Sequence, residues 1–191
     1  MPIFTKQPQP YDLSNLSILI VEDSLYIQNL ITQMLKIFGV GEIMTCSNVK
    51  EAKDLLTAIQ ASKKSRYLKS VDMILMDWLM PGENGDVLLQ WIRDHHNDSV
   101  RFTPVIVISG YTTEYVANRA RDLGAHETMV KPISGSGLAS RITSVIEAPR
   151  PFIKAPGFFG PDRRRKNIPY DQQERRLTKS DEIVVKHAKT E

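Results

Sequence analysis

Short apolar runs and amphipathic stretches alternate along this chain. Ser17-Ile18-Leu19-Ile20-Val21, Val71-Asp72-Met73-Ile74-Leu75-Met76-Asp77 and Val105-Ile106-Val107-Ile108 are apolar almost throughout, the mark of strands covered on both faces. Glu42 to Cys46 and Glu127-Thr128-Met129-Val130 predict two weaker strands. Helical spacing fills the intervals. From Leu25 to Phe38 the apolar positions are Ile27, Leu30, Ile31, Met34, Leu35 and Phe38, a one-face stripe with Ser24 placed to cap it and Gly39 to stop it. Asn48 opens a second helix, with Ala52, Leu55, Leu56 and Ile59 inward and its end near Ser62. A third runs from Asp86 to His95 with Val87, Leu88, Trp91 and Ile92, and a fourth from Glu114 to Leu123 before Gly124. The fifth, from about Gly137 to Glu147, buries Leu138, Ile142, Val145 and Ile146. Five strands alternating with five helices predict an α/β fold, a doubly wound five-stranded parallel sheet with helices on both faces.

A parallel sheet gives new meaning to the residues at its strand ends. Glu22, Asp23, Asp77, Ser109 and Lys131 each close or follow a strand, so all emerge at the carboxyl edge, where such sheets bind ligands. Each alone has a plainer explanation; Asp77, for one, opens a loop containing Pro81-Gly82 and Asn84-Gly85, ordinary turn chemistry. Together they describe a polar pocket. Three carboxylates without His or Cys suit a hard cation such as Mg²⁺. The central carboxylate is also a nucleophile able to accept a phosphoryl group as an acyl phosphate, with the cation and Lys131 offsetting charge on the transferred oxygens. Ser109 offers a hydroxyl to one of those oxygens.

Composition narrows the setting. A chain of 191 residues, 41% hydrophobic, supports one core with appendages. It contains no run of about 18 apolar residues, and Met1 to Pro10 carries three prolines and no apolar signal segment, so a cytoplasmic protein is expected. Cys46 is the single cysteine, which excludes an internal disulfide and a cysteine-based metal cluster and reads as a buried core residue. His95-His96 near Asp98 reads as a solvated helix end, because adjacent side chains on a helix diverge. The basic stretch from Lys63 to Ser70 reads as a solvated connection. The charge is uneven: residues 149–191 carry 11 Lys/Arg and 6 Asp/Glu, a net of +5, in a chain whose total is +3.

Over roughly residues 15 to 148 the chain resembles the receiver domain of two-component response regulators. The resemblance rests on the Glu22-Asp23 pair after the first strand, the Asp77-x-x-Met80-Pro81-x-x-x-Gly85 loop, Ser109-Gly110 and Lys131-Pro132, in that order and spacing. It implies a flavodoxin-like strand order of 2-1-3-4-5. It also implies that Asp77 takes a phosphoryl group from a histidine kinase or phosphotransfer protein. Glu22, Asp23 and Asp77 would hold Mg²⁺, with Ser109 and Lys131 on the phosphoryl oxygens. Such a protein is a switch and not an enzyme, signalling through the face of the fourth helix, fifth strand and fifth helix or through its tail. Phosphatases of the haloacid dehalogenase type share much of this set but need a second acid two residues after the nucleophile, where this chain has Leu79.

Two departures bear on the switch. Three residues before the lysine, receivers usually carry an aromatic; here it is Thr128, with Tyr111, two past Ser109, as a possible substitute or as mere loop packing. Ser109, Thr128 and Tyr111 are therefore the switch candidates, and a pseudo-receiver that binds partners without phosphorylation stays open as the alternative. Leu79 and Tyr111 also stand where the family controls the access of water to the acyl phosphate, and neither favours attack, which predicts slow self-dephosphorylation.

The ends look different. Residues 1–14 read as a flexible arm. Residues 149–191 combine Pro149, Pro151, Pro156 and Pro161 with Phe152, Phe158 and Phe159 and the run Arg163-Arg164-Arg165-Lys166. They are expected to be a largely disordered basic tail whose phenylalanines dock on the receiver or on a partner. No helix-turn-helix pattern follows, so a DNA-binding domain is not expected, although the basic run leaves nucleic acid as an alternative partner.

Overall fold

The computed structural model describes residues 12–61, 70–110 and 114–163, together with the backbone of 184–186. β1 (Ser17–Val21), β2 (Glu42–Cys46), β3 (Met73–Asp77), β4 (Val105–Ser109) and β5 (Glu127–Val130) form one sheet in the order β2-β1-β3-β4-β5, parallel throughout. The helices are α1 (Leu25–Ile37), α2 (Val49–Ala61), α3 (Gly85–Asp94), α4 (Asp98–Arg101), α5 (Glu114–Asp122) and α6 (Gly135–Glu147). The predicted doubly wound sheet and its implied order are thus the observed ones. One helix is additional: α4 is a single turn with a cap from Asn97, whose side chain accepts the Ser99 amide, and four residues are too few for a periodic signal.

Alternation along each strand sorts the core into two layers. Ile18, Ile20, Met73, Leu75, Ile106 and Ile108 pack with Ile31 and Leu35 of α1 and Leu138 and Ile142 of α6. Leu19, Val21, Ile74, Met76, Val105 and Val107 pack on the other face with α2, α3 and Ala120 of α5. Because both faces are covered, the central strands had to be apolar at every position, the pattern that made them legible. Local signals behave as expected. Ser24 Oγ accepts the Ile27 amide, Asn48 Oδ1 accepts the Glu51 amide, and Gly39 and Gly124 end helices at φ of 81° and 91°.

Both ends depart from the sequence reading. The expected arm through residue 14 is anchored at its close: Leu13 packs against the core and its carbonyl accepts the Gly41 amide at 3.1 Å, while residues 1–11 lie outside the described residues. At the other end composition predicts an irregular tail from Pro149. Instead β6 (Phe152–Ala155) and β7 (Phe158–Pro161) form an antiparallel hairpin, joined on the β6 edge by β8 (Val184–Lys186). Pro156 and Gly157 make the two-residue turn, Gly157 with φ 72°. Phe152, 5% exposed, meets Phe102 with ring centroids 4.7 Å apart, and the Arg101 guanidinium lies 3.9 Å from the Phe159 ring centroid. Proline and charge hid this hairpin; its aromatic surface holds it in place. The basic run beyond Arg163, like the connection from Lys63 to Lys69, lies outside the described residues.

Candidate functional site

Four strand ends converge at the carboxyl edge. Asp77 is the last residue of β3 and Ser109 of β4, while Glu22 follows β1 and Lys131 follows β5. The Lys131 amide donates to the Ser109 carbonyl at 2.7 Å, which continues the β4–β5 ladder into the site. Lys131 Nζ donates to both carboxylate oxygens of Glu22, at 3.1 and 2.9 Å, and to Asp77 Oδ2 at 2.9 Å. Glu22, Asp77 and Ser109 are 1%, 6% and 4% exposed, whereas Asp23 stands in solvent at the rim. The loop after β3 needs glycine where it folds back. A Cβ on Gly85 would lie 2.5 Å from the Asp77 carbonyl oxygen, and the Gly85 amide donates to the Trp78 carbonyl at 2.9 Å.

The electrostatics follow from burial. Loss of water raises the Glu22 carboxyl above its ordinary value; the hydrogen bond from Lys131 opposes this and the charge of Asp77 adds to it. Burial pulls the Lys131 ammonium down, yet its hydrogen bonds and charge attraction to Glu22 and Asp77 outweigh that and hold it above the usual lysine range. One cation therefore balances two enclosed carboxylates. Glu22, Asp23 and Asp77 each offer an oxygen within 4.8 Å of the others. An all-oxygen, acid-rich set of this kind, with one ligand open to solvent, fits Mg²⁺, which keeps several waters beside a few carboxylates.

The remaining candidates are placed less centrally. Thr128 is half-buried in the middle of β5, on the same side of the sheet as Ser109 by strand alternation. Tyr111 lies outside the described residues, so its place in the switch is a sequence expectation only. Leu79, 41% exposed, sits two residues past Asp77 at the mouth, and its amide points at Asp77 Oδ1 from 3.5 Å. His95 and His96 stack with ring centroids 4.4 Å apart. Cys46 is buried, and desolvation, helped by the charge of Glu51, pushes its thiol up to about 11.

Sequence reasoning passed over one residue beneath this edge. Gln28 of α1 is 8% exposed and donates from Nε2 to the backbone carbonyls of Glu22 and Cys46. The available signal was its spacing, three residues before Ile31 and seven before Leu35, which puts it on the inward stripe.

Comparison with known proteins decides the family. The model for the response regulator receiver domain matches residues 18–143. The chain belongs to that family. It is 29% identical over 133 residues to the chemotaxis protein CheY-3 of Vibrio cholerae, a match spanning 70% of this chain and 93% of that one. With the transcriptional regulatory protein CpxR of Escherichia coli it shares 27% over 129 residues, 68% of this chain but 48% of CpxR. Among solved structures, the receiver domain of a signal transduction histidine kinase from Syntrophus aciditrophicus superposes with a TM-score of 0.57 at 26% identity, covering 70% of this chain and 91% of that domain. CheY4 of Vibrio cholerae gives 0.56 at 24%, covering 68% and 98%, a likeness of fold. This receiver is thus a two-component response regulator, a class of signalling module. The family match stops at residue 143, so the β6–β8 hairpin and strand lie beyond it. Among the described residues no helix is long and apolar enough to cross a membrane.

Proposed function

We propose that Asp77 is the phosphoacceptor of this receiver and that its modification changes the protein's affinity for a partner protein. One observation carries the reading: the buried Asp77 carboxylate stands at the sheet edge with Lys131 Nζ bridging it to Glu22. In the transfer an Asp77 oxygen attacks the phosphorus of a phosphohistidine; the P–O bond forms as the P–N bond breaks, and the electron pair leaves with the imidazole. Mg²⁺ held by Glu22, Asp23 and Asp77 would supply positive charge to the phosphoryl oxygens. Lys131 would swing from its two carboxylates onto one of those oxygens, and the Ser109 hydroxyl would donate to another. The donor is a histidine kinase or a phosphotransfer protein. The output runs through the face made by α5, β5 and α6, where Thr128 replaces the customary aromatic, or through the tail of residues 149–191.

Intact mass after incubation with Mg²⁺ and a small acyl phosphate tests this. A single phosphoryl adduct that requires both Mg²⁺ and Asp77, and is missing from Asp77→Asn, is the expected result. No adduct on the folded protein would leave the pseudo-receiver, acting through partner binding alone, as the better reading.

A further inference from the structure

The buried stripe of α1 contains one polar side chain. Gln28 faces inward with Ile31 and Leu35, in the turn directly after the Glu22–Asp23 pair. A buried carboxamide is costly unless its donors are met. Both amide hydrogens are met here: Nε2 donates to the Glu22 carbonyl at 3.2 Å and to the Cys46 carbonyl at 3.3 Å. The Cys46 carbonyl also accepts the Glu22 amide at 3.0 Å. Gln28 is itself fixed, its amide donating to the Ser24 carbonyl at 2.9 Å and its carbonyl accepting the Thr32 hydroxyl at 2.8 Å. Helix α1, the end of β2 and the loop that carries two of the pocket's acids are therefore tied together by one side chain.

The Glu22 carbonyl belongs to the peptide that joins Glu22 to Asp23. With that carbonyl held by Gln28 and the Glu22 amide held by the Cys46 carbonyl, ψ of Glu22 is restrained, and with it the direction in which the chain leaves for Asp23 and the place of the Asp23 Cα and carboxylate relative to Glu22. Asp23 depends on this most. Its carboxylate is exposed and, among the described residues, accepts no hydrogen bond, so only its backbone aims it toward Asp77.

We propose that Gln28 is a positioning residue for the metal ion: by holding the Glu22 carbonyl it fixes the peptide between the two acids and keeps their oxygens on the point shared with Asp77. The proposal rests on reading the pocket as a Mg²⁺ site. Gln28 touches neither metal nor phosphoryl group; it acts through the backbone of two residues that would. Partners of this outer kind typically contribute about 10- to 100-fold to metal affinity.

The test is Mg²⁺ titration of the full chain, followed by the fluorescence of Trp78, next to Asp77, in a Trp91→Phe background and well below the melting temperature. Gln28→Met keeps the volume and removes the donors; Gln28→Asn keeps the carboxamide but withdraws it by one methylene, and serves if the first variant does not fold. Ile31→Val loosens the same stripe without touching either carbonyl. The expected result is a Mg²⁺ dissociation constant raised about tenfold or more in both Gln28 variants and unchanged in Ile31→Val. Wild-type affinity in Gln28→Met or Gln28→Asn, or an equal loss in Ile31→Val, overturns the role of Gln28 and leaves the pocket standing. No Mg²⁺ binding by the unaltered protein, or binding that survives replacement of Asp23 and Asp77 by Asn together, overturns the pocket reading and the role of Gln28 with it.

Discussion

Gly160 of the hairpin rests on Gly124, the residue that ends α5: a Cβ built on Gly160 would lie 2.7 Å from the Gly124 Cα. Backbone meets backbone there, with no flexible side chain to yield. Gly160→Ala is therefore expected to lower stability by about 1–3 kcal/mol, the usual cost of overpacking, measured as a drop in the urea midpoint. An unchanged midpoint would show that the hairpin moves aside at little cost.

Phe152 tests the same contact from the opposite direction. It is buried against Phe102 and His126, and Phe102 belongs to the receiver proper. Phe152→Ala should cost about 3 kcal/mol. The loss should appear in one cooperative transition, since the hairpin and the receiver share this cluster. Two separate transitions would show that the hairpin folds on its own account.

His126 makes stability depend on pH. Burial, and then the charges of Arg93 and Arg150, hold its imidazole well below the usual histidine value. In the unfolded chain the ring titrates near about 6.5, so on acidification the unfolded state takes up the proton first. Stability is therefore fully present above that pH and falls below it, by up to about 1.4 kcal/mol per pH unit. His126→Gln should be less stable at pH 8 but show a flatter profile between pH 6.5 and 5 in denaturant titrations. A profile as steep as that of the wild type would assign the acid sensitivity elsewhere.

Lys131 and a divalent cation should be partly interchangeable. Without the ammonium, Glu22 and Asp77 would face each other with one counter-charge fewer, and Lys131→Ala should destabilise the metal-free protein by about 3–5 kcal/mol. Mg²⁺ should then raise the melting temperature of Lys131→Ala more than that of the wild type. Equal shifts in the two proteins would mean that the cation and the lysine do not share these charges.

Leu79 offers no group to orient water beside Asp77. Leu79→Asn supplies one, and a single hydrogen bond of about 1 kcal/mol corresponds to roughly fivefold in rate. The phosphorylated variant should lose its adduct about that much faster, followed by intact mass after removal of the donor. A lifetime equal to the wild type's would mean that Leu79 does not limit hydrolysis.

What the sequence disclosed, and what it withheld, follows from how far apart the interacting residues lie. The strands from Ser17, Met73 and Val105 were legible because burial on both faces leaves an unbroken apolar run, and α1 because its stripe repeats over three turns. Asp77, Lys131 and Glu22 could be gathered at one edge because parallel strands all end on the same side. Gln28 was hidden because a polar letter on an apolar stripe looks like an interruption; only the carbonyls of Glu22 and Cys46 explain it. Arg93 was hidden likewise, since nothing near it in sequence announces that its guanidinium reaches the carbonyls of Gly124, Arg101 and Thr103. The hairpin was hidden by its composition, because Phe152 and Phe159 become a core only against Phe102, 50 residues earlier in the chain.

The hairpin also gives the molecule two poles. Arg150 donates to the His126 carbonyl and to Glu127 at the start of β5, and Arg163 pairs with Asp122 at the close of α5. All of these lie at the amino-terminal edge of the sheet, whereas Asp77 and Lys131 lie at the carboxyl edge, a strand of four or five residues away, or about 15 Å. Arg163 is thus held on the far side of the sheet from Asp77, so a partner that gripped Arg163 and the Asp77 pocket together would have to span the length of the strands.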